Sequence, residues 1–85
     1  HANARTLAEG LAELPGVRID LSRVQTNIVR FDLTGMSAQE FVSACRARGV
    51  LGGGGGSSIR FVTHFGIEAA DVQRALAVCS DVLSA

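Results

Sequence analysis

Apolar residues follow two different periods along this chain, and the order of those periods constrains the fold more than any other feature. Stripes at the 3.6-residue spacing of a helix alternate with segments in which every second residue is apolar, as in a half-buried strand. The helical stripes cover about residues 2–14, 38–48 and 68–83. The strand-like segments are residues 17–21, 26–33, 50–51 and 59–64.

This order, α-β-β-α-β-β-α, predicts a single α+β domain over residues 1–85. The strands of each pair lie close together in the sequence, which favours antiparallel pairing. We therefore expect a small antiparallel or mixed sheet with helices on one face. The core is expected to contain Val29, Phe31, Phe61, Val72 and Leu76.

Local signals mark where the helices begin and end. Pro15 and Gly16 should end the first helix, because proline cannot continue its hydrogen-bond ladder. Ser37 and Glu40 have the spacing of a capping box, in which both side chains satisfy backbone donors at a helix start. Gly49 stands where a left-handed residue often closes a helix.

The glycine run at residues 52–56, followed by two serines, is unusual. A phosphate-binding loop would lead into a helix and carry a lysine, whereas this run leads into a strand. The run also resembles an engineered Gly-Ser linker, although natural-looking sequence on both sides favours a native segment. A mobile hairpin loop is the expectation.

Composition excludes several classes of function. The 85 residues are 47% apolar and 19% charged, which is typical of a globular domain, and the formal net charge is zero. Nucleic acid and membrane are therefore not expected as partners. Cys45 and Cys79 lie on apolar helical stripes and are expected to be buried free thiols, which favours a cytoplasmic setting. The start at His1, without an initiator methionine, reads like the inside of a helix cut from a larger protein.

Arg60 is the main candidate for a ligand-binding residue. It interrupts a strand of apolar and β-branched residues, and its planar guanidinium can bind a carboxylate through two parallel hydrogen bonds. The alternative is an arginine that merely faces solvent on the outer side of the sheet. His64 is a minor candidate on the same face, but it lies roughly 13 Å along the strand from Arg60, too far to act on the same atom. Its alternative is a hydrogen-bonded histidine at a strand end.

The sequence gives little evidence for acid–base catalysis, nucleophilic catalysis or metal binding. The carboxylates are scattered, the serines after the glycine run have no base within a motif, and no cluster of metal ligands is visible. All eight basic residues are arginine, so the chain contains no lysine.

Five segments of the chain resemble the small C-terminal domain of L-threonine aldolases, and the resemblance covers essentially all 85 residues. The most diagnostic segment is Arg60-Phe61-Val62-Thr63-His64. The others are His1-Ala2-Asn3-Ala4-Arg5 with Leu7-Ala8, Val24-Gln25-Thr26-Asn27-Ile28-Val29 with Asp32, Arg48-Gly49-Val50, and Asp71-Val72 with Ala75-Leu76. One departure is Phe65-Gly66, where the family usually has Leu-Asp.

The resemblance implies part of a fold-type I enzyme that uses pyridoxal 5'-phosphate and cleaves L-threonine or L-allo-threonine to glycine and acetaldehyde. It implies that Arg60 binds the α-carboxylate of the amino-acid substrate. The cofactor and its Schiff-base lysine would belong to a large domain absent from this chain, so no catalytic or cofactor-binding residue is expected here and the chain alone is expected to be inactive. A cytoplasmic homo-oligomer, dimer or tetramer, is also implied.

Two alternatives remain open at this point. One is the small domain of another fold-type I enzyme such as an aminotransferase, a group that also uses a small-domain arginine for the carboxylate. The other is a free-standing regulatory module that binds an amino acid. The presence of an upstream domain with a lysine would distinguish the enzymes from the module.

Overall fold

The computed structural model describes residues 2–24, 27–62 and 68–84. Three α-helices are present in this part of the chain: α1 (Ala2–Ala12), α2 (Ala38–Ala47) and α3 (Ala69–Ser84). The strands are β1 (Val17–Arg18), β2 (Ile28–Leu33), β3 (Gly53–Gly55) and β4 (Ser58–Val62), with a short 3₁₀ helix at Leu21–Arg23 between β1 and β2.

The four strands form one sheet in the order β1-β2-β4-β3, and every neighbouring pair is antiparallel. The predicted α+β class and strand pairing are therefore confirmed. β2 and β4 are the central strands, with Val29 opposite Phe61 and Arg30 opposite Arg60.

The core lies between the sheet and the helices. Alternate residues of β2 and β4 are buried, and their neighbours along the strand are exposed, so one face of the sheet packs against helices while the other is open. At the centre, Phe31, Phe41 and Phe61 pack with ring centroids 5.6–6.4 Å apart. Of the five core residues predicted from sequence, four are buried; Leu76 is half-buried and packs against the core.

The predicted helix caps of α2 are present. The Ser37 hydroxyl accepts a hydrogen bond from the Glu40 backbone N–H at 3.1 Å and donates to the Glu40 carboxylate at 3.1 Å. At the other end, Gly49 has a φ of +86°. The N–H groups of Gly49 and Val50 bond to the carbonyls of Arg46 and Cys45, which is the paired pattern of a left-handed helix end.

The expectation of a mobile loop at residues 52–56 was wrong, because Gly53–Gly55 forms strand β3 along the edge of the sheet. A side chain would not fit at two of these positions. A Cβ at Gly54 would lie 2.4 Å from the Ser58 carbonyl oxygen, and one at Gly52 would lie 2.3 Å from Cε1 of Phe61. Gly56, with a φ of +65°, forms the turn into β4.

Two other sequence expectations were wrong in detail. The strand predicted at residues 50–51 is absent, and Leu51 is 70% exposed. The strand predicted at residues 17–21 stops after Arg18, because the Asp20 carboxylate accepts hydrogen bonds from the backbone N–H and the hydroxyl of Ser22 and so begins the 3₁₀ helix.

Candidate functional site

Arg60 lies in the middle of β4 and points to the open face of the sheet. Its neighbours along the strand, Ile59 and Phe61, are 1% and 4% exposed and anchor the backbone in the core, whereas Arg60 itself is exposed. The strand alternation therefore holds the base of the side chain rigidly while leaving the guanidinium free to meet a ligand.

The glycine strand gives Arg60 an unobstructed surface on one side. Gly53 is the cross-strand partner of Arg60 in β3, and a Cβ at Gly53 would lie 3.9 Å from Nη2 of Arg60. The guanidinium thus extends over backbone that carries no side chains. A ligand bound by Arg60 could approach the main chain of β3 closely at this point.

On its other side, Arg60 lies directly opposite Arg30 of β2. Both side chains are exposed on the open face. Arg30 was not identified from the sequence as a candidate, although the alternation of β2 already placed it on the outer face. The missing information was the register between β2 and β4, which only the folded sheet supplies.

Neither arginine forms an ion pair with a described residue. Within the described ranges the ion pairs are Arg5 with Glu9 and Arg48 with Asp81, each at 3.1 Å. Both of these pairs lie in the helical layer. The guanidinium groups of the open face are thus available to a ligand in a way that Arg5 and Arg48 are not.

Three other side chains singled out from the sequence lie outside the part of the chain that the structure describes. These are His64, the minor candidate, and Thr63 and Thr26 of the resembling segments.

Cys45 and Cys79 are free thiols buried in the core, as predicted. Cys45 lies on α2 and Cys79 on α3, and the two thiols influence each other's pKa across the core. The hydrogen bond to Cys45, together with burial, raises the pKa of Cys79 well above its ordinary value. Cys79 therefore stays protonated at neutral pH and is a core residue and a poor nucleophile.

In the part of the chain that the structure describes, no group of three or more His, Cys, Asp or Glu residues could hold a metal ion. The described helices also include none with the length and apolarity needed to cross a membrane.

The arrangement on the open face is suited to binding an anion. A guanidinium held by a buried strand, beside bare backbone, offers a rigid fork with the geometry of a carboxylate. The chain has no lysine, so none of its side chains can attach pyridoxal phosphate as an imine.

Comparison with known proteins gives a curated relative and several similar solved structures. The chain is 34% identical over 80 residues to low-specificity L-threonine aldolase 1 of Arabidopsis thaliana, a match that covers 89% of this chain and 22% of the relative. The chain thus spans about a fifth of the relative's length. No protein-family model matches it.

Among solved structures, the chain superposes on MppP soaked with the product 2-ketoarginine, with a TM-score of 0.80 and 15% identity over 99% of this chain and 26% of that one. A Bacillus anthracis aminotransferase gives a TM-score of 0.73 and 16% identity, with 98% of this chain and 22% of that chain covered. At these identities the structures establish the fold alone. The curated relative confirms the predicted resemblance of this chain to L-threonine aldolases.

Proposed function

We propose that this chain is the C-terminal small domain of a pyridoxal phosphate-dependent threonine aldolase and that Arg60 binds the α-carboxylate of the substrate. The observation that carries the proposal is the position of Arg60, exposed on the open sheet face beside a strand of glycines. The 34% identity to an L-threonine aldolase supports this reaction class.

In this proposal the parent's large domain covers the open face and closes the active site around Arg60. The match to only 22% of the curated relative agrees with a missing larger part. Bound pyridoxal phosphate would supply the electron sink for the cleaved Cα–Cβ bond. A cytoplasmic homo-oligomer is the proposed assembly.

The role of Arg60 is to orient the substrate. Two parallel hydrogen bonds from the guanidinium fix the plane of the α-carboxylate, and with it the direction of the Cα–Cβ bond. Cleavage requires this bond to stand perpendicular to the cofactor ring, so a carboxylate that rotates freely would lose much of the rate.

Kinetics of the parent protein test this role. Arg60→Ala should remove about 2–4 kcal/mol of transition-state stabilisation, which corresponds to roughly a hundredfold loss of kcat/KM for L-threonine. Arg60→Lys should recover only part of the loss, because an ammonium cannot form the two-pronged contact. Arg46→Ala is the matched control, since Arg46 is an exposed arginine on α2, a helix that packs on the other face of the sheet. Near-normal efficiency in a folded, cofactor-loaded Arg60→Ala protein would refute the role.

The second candidate is an aminotransferase, favoured by the structural similarity to the Bacillus anthracis enzyme. An aminotransferase would also use a carboxylate-binding arginine, so the Arg60 variants alone do not separate the two. The products do: release of acetaldehyde and glycine from L-threonine supports the aldolase, whereas transfer of the amino group to an oxo acid supports the aminotransferase.

A further inference from the structure

Two arginines of like charge face each other across the centre of the open sheet face. Arg30 and Arg60 are direct cross-strand partners, so their Cα atoms are about 4.5–5.5 Å apart. Like charges in directly opposite positions destabilise a sheet unless something neutralises them. A bound anion would remove this repulsion.

The two side chains share a shallow cleft of about 230 Å³ with Ser58 and the glycines of β3. We call it the two-arginine cleft. Its glycine side carries no side chains, so a ligand can lie low between the guanidinium groups and the backbone. The Ser58 hydroxyl, exposed on the same face, adds a hydrogen-bond donor or acceptor.

Acidic residues of the same face do not cancel the positive charge. Asp32 lies two residues along β2 from Arg30 and is paired in register with Arg18 of β1. Asp20 lines a separate, neighbouring cavity together with Arg18 and Arg30, and its carboxylate accepts two hydrogen bonds from Ser22. Among the side chains that the structure describes, Arg18, Arg30 and Arg60 thus outnumber Asp20 and Asp32 in this region.

We propose that the two-arginine cleft binds two carboxylates of one ligand, Arg60 taking the α-carboxylate and Arg30 a carboxylate on the side chain. This inference rests on the proposed function and narrows its substrate class to β-hydroxy-α-amino acids with an acidic side chain. Each guanidinium is a fork for one carboxylate, so a ligand with two carboxylates neutralises both arginines, whereas threonine leaves Arg30 uncompensated.

The reaction on such a substrate balances without an oxidant. In 3-hydroxyaspartate the Cα–Cβ bond breaks and its electron pair stays with Cα, which takes up a proton to give glycine. The hydroxyl loses its proton, and the Cβ–O bond becomes the carbonyl of an oxo acid that keeps the second carboxylate. Arg30 would hold that carboxylate in the substrate and in the leaving oxo acid.

Binding to the 85-residue chain tests the cleft without any catalysis. Succinate and butyrate have carbon chains of the same length, but succinate carries two carboxylates and butyrate carries one. Their binding can be followed by NMR titration of the arginine Nε–H signals. Succinate should bind about fivefold more tightly, a factor in keeping with one additional exposed charge pair. Arg30→Leu should abolish this preference and Arg30→Lys should retain part of it, while the exposed helix variant Arg46→Leu should keep it. Equal binding of the two acids, or an unchanged preference in a folded Arg30→Leu chain, would overturn the proposal.

Kinetics of the parent protein separate this inference from the function on which it rests. The Arg30→Leu variant should lower the ratio of kcat/KM for 3-hydroxyaspartate to kcat/KM for L-threonine about fivefold or more. Equal effects on both substrates would overturn the acidic-substrate inference while the aldolase function stands. If the wild-type parent had no aldolase activity but the 85-residue chain still preferred succinate, the proposed function would be refuted. The inference that the cleft binds two carboxylates would still stand.

Discussion

Replacing Gly54 by alanine should destabilise the domain, whereas the same change one residue later should not. At Gly54 the new methyl group would lie 2.4 Å from the Ser58 carbonyl oxygen, 3.2 Å from Cα of Ile59 and 3.4 Å from Cβ of Ala38. Two of these neighbours are backbone atoms of the central strand β4, so they cannot rotate away. At Gly55 nothing lies within 4 Å of the added Cβ, which makes Gly55→Ala a matched control in the same strand.

The size of the effect follows from two opposing contributions. Overpacking lowers the free energy of unfolding by about 1–3 kcal/mol. The smaller conformational freedom of alanine in the unfolded chain offsets about 0.4–1 kcal/mol of this loss. Gly54→Ala should therefore lower the free energy of unfolding by about 1–2 kcal/mol, whereas Gly55→Ala should raise it by up to about 1 kcal/mol.

Urea unfolding followed by circular dichroism measures this difference. With a slope of about 1 kcal/mol per molar urea for a domain of this size, the midpoint of Gly54→Ala should fall by about 1–2 M, and that of Gly55→Ala should not fall. A Gly54→Ala chain as stable as Gly55→Ala would show that β3 is not packed tightly against β4, and the account of the glycine run would fail.

Two further predictions concern the helical layer. Ser37→Ala should lower the free energy of unfolding by about 1 kcal/mol in the same urea assay, because it removes the acceptor for the Glu40 backbone N–H, and an unchanged midpoint would contradict the cap. The raised pKa of Cys79 means that the folded state keeps its thiol proton more strongly than the unfolded state. Its contribution to stability is therefore complete below the ordinary thiol value of 9.0 and is lost as the pH rises above it. The wild type should lose stability above pH 9 more steeply than the double variant Cys45→Ala/Cys79→Ala, which has no thiol to titrate, and parallel pH profiles would count against the buried thiol pair.

The helices could be predicted from the sequence because their signals are local. The apolar stripe of α3, the capping box at Ser37 and the left-handed glycine at Gly49 each depend on residues within a few positions of one another. The class of the sheet followed from the same local patterns, since short connections favour antiparallel pairs.

Strand β3 could not be predicted, because its cause is tertiary. Glycine has a low intrinsic preference for strands, and the run was expected to be a mobile loop. The structure requires glycine at positions 52 and 54 because Phe61 and the backbone of β4 occupy the space of a side chain. Similarly, the early end of β1 depends on the side-chain hydrogen bonds of Asp20 and not on the alternation that the sequence shows.

Of the two arginines in the candidate site, only Arg60 could be predicted from the sequence. Arg60 stood out as a charged residue inside an apolar strand, and the structure places it on the open face. In the sequence, Arg30 looked like an ordinary outward-facing residue of a half-buried strand. It becomes a candidate only because it lies opposite Arg60 in the folded sheet. That pairing is set by the register of β2 on β4, which one strand's sequence does not reveal.

The most direct test of the central claim pairs a change in Arg60 with a change in the substrate carboxylate. In the parent protein, kcat/KM is measured for L-threonine and for L-threonine amide, with wild-type Arg60 and with Arg60→Ala. If the guanidinium binds the α-carboxylate, the substitution should cost roughly a hundredfold with threonine and less than about threefold with the uncharged amide. Equal losses on both substrates would mean that Arg60 acts elsewhere, and the proposed carboxylate site would be contradicted.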